Sequence, residues 1–358
     1  MKILVSRLKF IGDIVLTIPV IEVLREKFPD AVIDYLGDSE GVTLLQSNPN
    51  LNEIISYDFA ANEVMEQLRI GFILRKKKYD VAIDLFGNPR SAIAIFLSSA
   101  KMRIGGNFGW RAKTFTHPIT VRERLTAVNF HLRYLQPLGI NENYRRPKIF
   151  LVNHEIHDAE QFLLSKMGEI NGSSMRVGLH IGATWPAKVW PAEYFARLAE
   201  LIVVKLGGQI MVTYGPKDIQ YLEKFSSLVR TKFMPIEPQE LRRLAAIISR
   251  CAVYVSNDAA PMHISAAVGT PTIGIFGPSE PDIWFPYEEN LGHVSLHRDV
   301  PCCHKDFCEL KGDEYLRCMK AIKPEEVFET INEVLNEERR TTNKEHDKNR
   351  RRNDKRIC

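Results

Sequence analysis

The stretch Val253–Gly277 constrains the fold more than any other part of the chain. It reads Val-Tyr-Val-Ser-Asn-Asp-Ala-Ala-Pro-Met-His-Ile-Ser-Ala-Ala-Val-Gly-Thr-Pro-Thr-Ile-Gly-Ile-Phe-Gly. This is the pattern of a buried strand, an acidic residue at its carboxyl end, a short helix and a second buried strand. In an open parallel sheet, ligands bind beyond the carboxyl ends of the strands, where helix N-termini attract phosphate. Asp258 and the backbone amides of Ala260, Met262 and His263 stand at that place, while Pro261 between them has no N–H to offer. The segment points to a nucleotide or a nucleotide-linked ligand.

The same alternation fills the rest of the chain. Strands are expected at Ile3–Val5, Val32–Leu36, Ile54–Tyr57 and Val81–Leu85, with helices near Val20–Lys27, Glu63–Lys77 and Ser91–Ser98. A second series places strands at Val177–Ile181, Gln209–Tyr214, Ala252–Ser256 and Thr272–Phe276, and helices over Ala192–Lys205, Pro238–Ser249 and Met262–Val268. That order predicts an α/β fold with mainly parallel sheets. A length of 358 residues suits two domains, since a domain usually takes about 100–200 residues. We read them as 1–165 and 175–323, with Asn153–Ser174 as the connection and a cleft between the halves. A last helix, 324–337, has Pro324 in its first turn and Val327, Phe328, Ile331, Val334 and Leu335 at helical spacing, and is expected to pack back across that cleft. Thr17 and Pro19 leave two options for the first helix: a start capped by Thr17, or a kink at Pro19.

Composition narrows the setting. No apolar run approaches the ~18–20 residues of a membrane span. The start, Met1-Lys-Ile-Leu-Val-Ser-Arg, is charged too soon for a signal peptide and reads as a strand, so the expected compartment is the cytoplasm. The net charge of +4 is carried by the tail from Asn336 to Cys358, which leaves the body near neutral and gives no argument for nucleic-acid binding. Residues 338–358 are polar, lack aromatics and are expected to be disordered. They suit contact with anionic lipid or a plain solubilising role.

Three further segments carry candidate chemistry. In Phe10-Ile-Gly-Asp-Ile-Val-Leu-Thr-Ile-Pro, Gly12 lets the backbone approach a ligand, and Asp13 is either a general base or an N-cap worth about 1 kcal/mol. In the loop His180–Pro191, Gly182, Ala183 and Thr184 follow a strand, and Lys188 lies between Trp185 and Trp190 among stiffening prolines. A held ammonium suits the charge developing on a diphosphate; the alternative is a surface lysine beside packed aromatics. His263, one turn into its helix, reads as a packed, hydrogen-bonded core histidine whose amide is the better contact. The third segment is Cys303-x4-Cys308-x9-Cys318 with His304 beside it, and its spacing is open to reduced thiols, a structural metal or a disulfide. Ile70–Tyr79 mixes apolar and basic residues and, with Arg103, Arg111, Lys113, Arg122 and Arg124, is open to contact with a phosphorylated glycolipid at a membrane surface. Lys76–Lys78 read rather as a helix end complementing its dipole, while Arg111 and Lys113, in a loop rich in glycine and tryptophan, stay open to both readings.

The order of these motifs is itself a signal. Gly12-Asp13 with Leu16-Thr17-Ile18-Pro19 comes first, followed by Phe28-Pro29 and Asn48-Pro49. Trp185-Pro-Ala-Lys-Val-Trp-Pro is next, then Asn257-Asp258 with Pro261-Met262-His263, Gly269-Thr270-Pro271 and Phe276-Gly277-Pro278. In this order the chain resembles the ADP-heptose:lipopolysaccharide heptosyltransferases, glycosyltransferase family nine. The resemblance runs from about residue 1 to residue 335 and includes Arg90-Ser91 and Gly105.

The resemblance implies a GT-B architecture: two facing Rossmann-like domains, with acceptor on the first and nucleotide sugar on the second. It implies transfer of heptose from ADP-heptose to the inner core of lipopolysaccharide, by one inverting displacement and without metal or other cofactor. Carried over by position, Asp13 is the base, Lys188 meets the donor phosphate and Asp258 binds the donor sugar. Thr184, Ala260, Met262 and His263 complete the donor site, and Gly12, Arg90, Arg111 and Lys113 the acceptor site. The partners implied are the donor and a glycolipid acceptor, met peripherally at the inner membrane, and no nucleic acid. One departure stands out: the family usually has Thr or Ser and then Gly after the aspartate, and this chain has Ala259-Ala260. That keeps in view the same fold using another nucleotide sugar for cell-envelope glycans; a rival of another class is a nucleotide-sugar-binding protein without turnover.

Overall fold

Short strands that are apolar on both faces can be buried only in a parallel sheet covered on each side, and the chain builds two of them. The structure, a computed structural model, describes residues 1–170, 174–301 and 304–337. It divides into two units. The first comprises Met1–Asp158 with Gln239–Ala246 and Asp282–Pro286, and the second comprises the remainder.

The first unit contains strands β1 (Lys2–Arg7), β2 (Val32–Asp38), β3 (Glu53–Tyr57), β4 (Val81–Asp84), β5 (Met102–Gly106) and β6 (His117–Ile119). They are all parallel, in the order β3-β2-β1-β4-β5-β6. Helices α1 (Ile11–Lys27), α2 (Glu63–Lys77), α3 (Pro89–Leu97) and α4 (Ala127–Leu132) belong to it. α5 (Asn153–Met167) follows, so the expected connection is largely helical, and the division falls within it, after Asp158.

The second unit repeats the plan. Its strands are β7 (Arg176–His180), β8 (Gln209–Thr213), β9 (Phe233–Ile236), β10 (Val253–Asn257), β11 (Thr272–Ile275) and β12 (Val294–Leu296), again parallel, in the order β12-β11-β10-β7-β8-β9. Helices α6 (Ala192–Leu206), α7 (Ile219–Leu228), α8 (Leu241–Ile248) and α9 (Ala260–Ala267) lie between strands, α8 mostly within the ranges of the first unit. Both sheets therefore have the Rossmann order, and in each the direction of winding reverses once, between β1 and β4 and between β7 and β10.

α1 begins at Ile11, well before the expected Val20, and includes Pro19. Thr17 is not its cap: the hydroxyl donates to the Ile14 carbonyl at 2.7 Å and meets the Tyr35 hydroxyl at 2.7 Å. The helix is buried almost all round from Ile14 to Leu24, so it has no polar face for a periodicity to reveal. Strands β5, β6, β9 and β12 are absent from the sequence reading. β5 ends in Gly105-Gly106, and Pro118 and Pro235 sit in edge strands, where the missing N–H is tolerated.

The last helix, residues 324–337, buries Val327, Phe328, Ile331, Val334 and Leu335 in the core of the second unit, beside Trp190, Phe195 and Ile322. Its apolar stripe thus has a partner within that unit. Among the described residues no helix is long and apolar enough to cross a membrane. Cys303 and the tail 338–358 lie outside the described residues.

Candidate active site

Where the winding of a parallel sheet reverses, the two adjacent loops leave in opposite directions and open a crevice at the carboxyl edge. In the first unit that crevice collects the ends of β1 and β4. Arg7, the last residue of β1, reaches Asp13 with Nη2 to Oδ1 at 2.6 Å, their side chains 10% and 16% exposed. The guanidinium is itself fixed. Its Nη1 donates to the Leu85 carbonyl at 2.8 Å, its Nε to the Lys9 carbonyl at 2.8 Å, and its central carbon lies 4.5 Å from the centre of the Phe86 ring. Asp13 sits in the first turn of α1, whose N-cap is Phe10, so the capping alternative is not what the structure contains. Gly12 is buried beside it.

Beneath this pair Asp84 ends β4, fully buried. It accepts from the Phe86 and Gly87 amides at 3.0 and 3.1 Å and from the Ser91 hydroxyl at 2.8 Å, and burial raises its carboxyl above the ordinary range. His131 of α4 is also buried; desolvation first, and the charge of Arg7 second, push its pKa down to about 3, so it is neutral imidazole. Arg90, in the first turn of α3, pairs with Glu63 and lies 5.2 Å from the Phe59 ring centre. Arg111 stacks on Phe108 at 5.6 Å and Lys113 follows in the same turn, Gly109–Thr114. These three stand on elements separate from α1, and Asp13 pairs with Arg7, a residue that sequence reasoning missed although it ends the first strand.

In the second unit the crevice collects the ends of β7 and β10. Lys188 Nζ lies 2.5 Å from Asp258 Oδ2, and Ser279 Oγ donates to the same oxygen at 2.6 Å. The ammonium is also 4.4 Å from the centre of the Trp185 ring. A 3-10 turn, Pro186–Lys188, presents the lysine, held by the Ala187 amide on the Asp306 carbonyl at 3.2 Å. Asn257 joins the two strand ends: its Oδ1 accepts from the Trp190 amide at 3.0 Å and its Nδ2 donates to the Gly182 carbonyl at 3.1 Å. The buried Trp190 indole donates to the Ile322 carbonyl at 3.0 Å, which anchors the far end of the loop. Lys188 is therefore no ordinary surface lysine.

Asp258 precedes α9, where Ala259 is extended at φ −149° and Ala260 opens the helix. Neither alanine takes a positive φ. The backbone path is thus one that alanine adopts without strain, and the departure from Thr/Ser-Gly reduces to a lost hydroxyl and an added methyl. His263 is 5% exposed, and its Nδ1 meets the Tyr287 hydroxyl at 2.7 Å. Burial, helped by Lys188 and opposed by Asp258, brings its pKa down to about 4, so the ring is neutral and serves packing. Thr184 is exposed on the loop that leads to Lys188.

Gly182 packs against Asp218. A Cβ on it would stand 2.0 Å from Asp218 Oδ2 and 2.3 Å from Asp218 Cγ. That carboxylate accepts from the Gly215 amide at 2.9 Å, so the glycine makes room for a loop brace.

Cys308 Sγ accepts from the Leu316 amide at 3.3 Å and Cys318 is buried. Among the described residues no group of three or more His, Cys, Asp or Glu is placed to hold a metal. A cavity of about 620 Å³ opens at the amino ends of β8 and β9, among Lys166, Gln209 and Phe233. It lies at the edge of the sheet opposite Lys188 and Asp258, where parallel sheets do not hold ligands.

The profile of glycosyltransferase family 9 (heptosyltransferase) matches residues 68–312. Lipopolysaccharide heptosyltransferase 3 of Escherichia coli K12 is 27% identical over 297 residues, 79% of this chain and 85% of that protein. The solved family 9 glycosyltransferase from Veillonella parvula is 25% identical with a TM-score of 0.82, over 94% of this chain and 97% of that one. The E. coli ADP-heptose LPS heptosyltransferase II superposes with a TM-score of 0.77 at 22% identity, over 95% of this chain and all of its own. That last likeness is one of fold: two parallel-sheet α/β domains of GT-B type.

Proposed function

Because the chain belongs to glycosyltransferase family 9, the heptosyltransferases, we propose that it moves heptose from ADP-heptose to the inner core of lipopolysaccharide by one inverting displacement that needs no metal. The observation that carries this reading is the Lys188–Asp258 pair at the winding reversal of the second sheet, 2.5 Å apart and braced by Ser279 and Asn257. The E. coli structural relative is described as an ADP-heptose enzyme, and we extend its donor to this chain.

The donor's diphosphate draws the Lys188 ammonium, and Asp258 turns to hydroxyls of the sugar. As the bond from the anomeric carbon to the diphosphate oxygen breaks, its electron pair leaves with ADP. Lys188 and the N-terminal amides of α9 stabilise that charge in a partly dry site. The acceptor hydroxyl attacks from the opposite face and gives its proton to Asp13. A carboxylate is a weak base, and it suffices when the proton leaves late, after the sugar has become oxocarbenium-like. Help of this kind is worth about 10²–10⁴-fold in rate. Arg7 aims the carboxylate and, anchored by two carbonyls, does not follow the proton. Gly12, Arg90, Arg111 and Lys113 form the acceptor side, and Thr184, Ala260, Met262 and the His263 amide the donor side. The acceptor is a glycolipid, so the enzyme works on the cytoplasmic side, peripheral to the inner membrane.

The test is the stereochemistry of the product. Incubation with ADP-heptose and lipid A bearing Kdo, followed by NMR of the new anomeric centre with and without EDTA, should give inverted configuration at a rate that EDTA leaves unchanged. Retained configuration, or activity abolished by EDTA and restored by a divalent cation, would refute it.

A further inference from the structure

α2 and α3 occupy one face of the first sheet, because the connections β3-α2-β4 and β4-α3-β5 run in the same direction across the sheet and share one hand. They meet at Gly71, where an added Cβ would stand 2.8 Å from Leu97 Cδ1. Ile70 and Leu74 of α2 and Ala92 and Ile95 of α3 point into the core. The outward side of α2 is apolar as well: Val64, Met65, Leu68 and Phe72 are exposed, Phe72 at 72%. At 100° per residue these four fall within one arc about a quarter of a turn wide. α3 adds Ile93 and Phe96, also exposed.

Charge completes the pattern. The acids nearest this strip are neutralised, Glu63 by Arg90 and Glu66 by Arg69. Arg75, Lys76 and Lys78 are exposed at the C-terminal end of α2. Arg103, past the end of α3, lies 5.7 Å from the Phe96 ring centre. A helix face with aliphatic and aromatic residues along its length and cations at its end matches a lipid interface, where acyl chains take the apolar strip and anionic headgroups the cations.

We propose that this face docks on an anionic lipid bilayer, with α2 lying along the surface, Leu68 and Phe72 at the acyl boundary and Arg75, Lys76 and Lys78 among the headgroups. The N-termini of α2 and α3, joined by Glu63 and Arg90, stand at the carboxyl edge of the sheet, the same edge as Asp13. Docking therefore places the lipid beside the acceptor side of the first unit. The purpose of the surface rests on the reading that the acceptor is a glycolipid; the binding itself does not.

The experiment is flotation of the full chain with vesicles of phosphatidylcholine alone or mixed with phosphatidylglycerol, with neither donor nor acceptor present. A failed reaction and a failed docking surface are thereby separated. The wild type should float with the anionic vesicles. Leu68→Ser with Phe72→Ser, both at exposed positions, should lower the partition coefficient at least about tenfold while leaving the melting temperature unchanged. Lys76→Gln with Lys78→Gln should weaken binding to anionic vesicles and reduce its salt dependence. A folded Leu68/Phe72 variant that floats as the wild type does would overturn the proposal, and so would a wild type that ignores vesicles. A wild-type dimer that this variant turns into a monomer would also overturn it, by making a second copy the occupant.

Discussion

The Lys188 ammonium lies 2.5 Å from the Asp258 carboxylate, with the two side chains 16% and 7% exposed. Water screens such a pair poorly, so removing either partner leaves an uncompensated charge in a dry place. Lys188→Met and Asp258→Asn should each lower stability, by about 2–4 kcal/mol, and the double variant should regain most of that loss. Activity should not return with it, because the charge facing the leaving group is gone; a fall of about 10²–10³-fold in kcat is expected for Lys188→Met. Thermal melts and steady-state kinetics on the three variants check both halves.

Arg7 touches Asp13 but has no part in the bond changes, so its loss should act through aim. Arg7→Lys keeps the charge and loses the fork that binds the Leu85 and Lys9 carbonyls. We expect kcat to fall about 10–100-fold with the donor KM nearly unchanged. A donor KM that rises while kcat holds would place Arg7 in substrate binding.

Gly182 offers a test of packing alone. Gly182→Ala drives a methyl into the Asp218 carboxylate, 2.0 Å from where the Cβ must go. Overpacking of this kind costs about 1–3 kcal/mol. Asp218→Ala in the same chain should restore stability, since the obstacle is gone. Denaturant midpoints for the single and double variants decide it.

Acid should destabilise the fold through its buried histidines. His180 and His263 have pKa values brought down to about 4 and His131 to about 3, chiefly by burial, against ~6.5 for an exposed imidazole. Between pH ~6.5 and 4 the unfolded chain binds the extra protons, so stability falls as pH drops through that window, by up to on the order of 3 kcal/mol per residue. Above pH 6.5 these groups add no slope. Asp84 acts in the opposite sense: its raised carboxyl makes the fold less stable as pH rises through and above the ordinary carboxylate range. His263→Gln, which can still bond Tyr287, should flatten the acid limb of a melting-temperature profile.

Much of this was legible in the residues. The strands that flank both winding reversals, β1, β4, β7 and β10, are short apolar runs and were found, as were β2, β3, β8 and β11, and with them the positions of Asp13, Lys188 and Asp258. β5, β6, β9 and β12 were not: β6 and β9 carry prolines, β5 ends in Gly-Gly, which breaks the apolar pattern, and β12 has only three residues. α1 was truncated for the opposite reason: a helix buried all round shows no period, and Pro19 reads as a boundary. Arg7, Ser279 and Tyr287 were missed as partners of Asp13, Asp258 and His263. Arg7 and Asp13 are close in sequence, but the pairing depends on a guanidinium aimed by the Leu85 carbonyl, far along the chain. Ser279 and Tyr287 reach their partners only once β11 has folded beside β10. Whether Ala259-Ala260 departs from the family pattern in backbone or in side chain is decided by φ, and neither residue takes a positive one.

If Asp13 is the base of a heptosyl transfer, acceptor-dependent ADP release depends on its carboxylate. Purified wild type and Asp13→Asn are given ADP-heptose with and without lipid A bearing Kdo. The wild type should release ADP only with acceptor present, and the variant should lose about 10²–10⁴-fold of that rate with donor binding intact by calorimetry. Equal turnover by the two proteins would remove Asp13 from the chemistry, and a wild type that neither binds nor cleaves ADP-heptose would contradict the donor assignment itself.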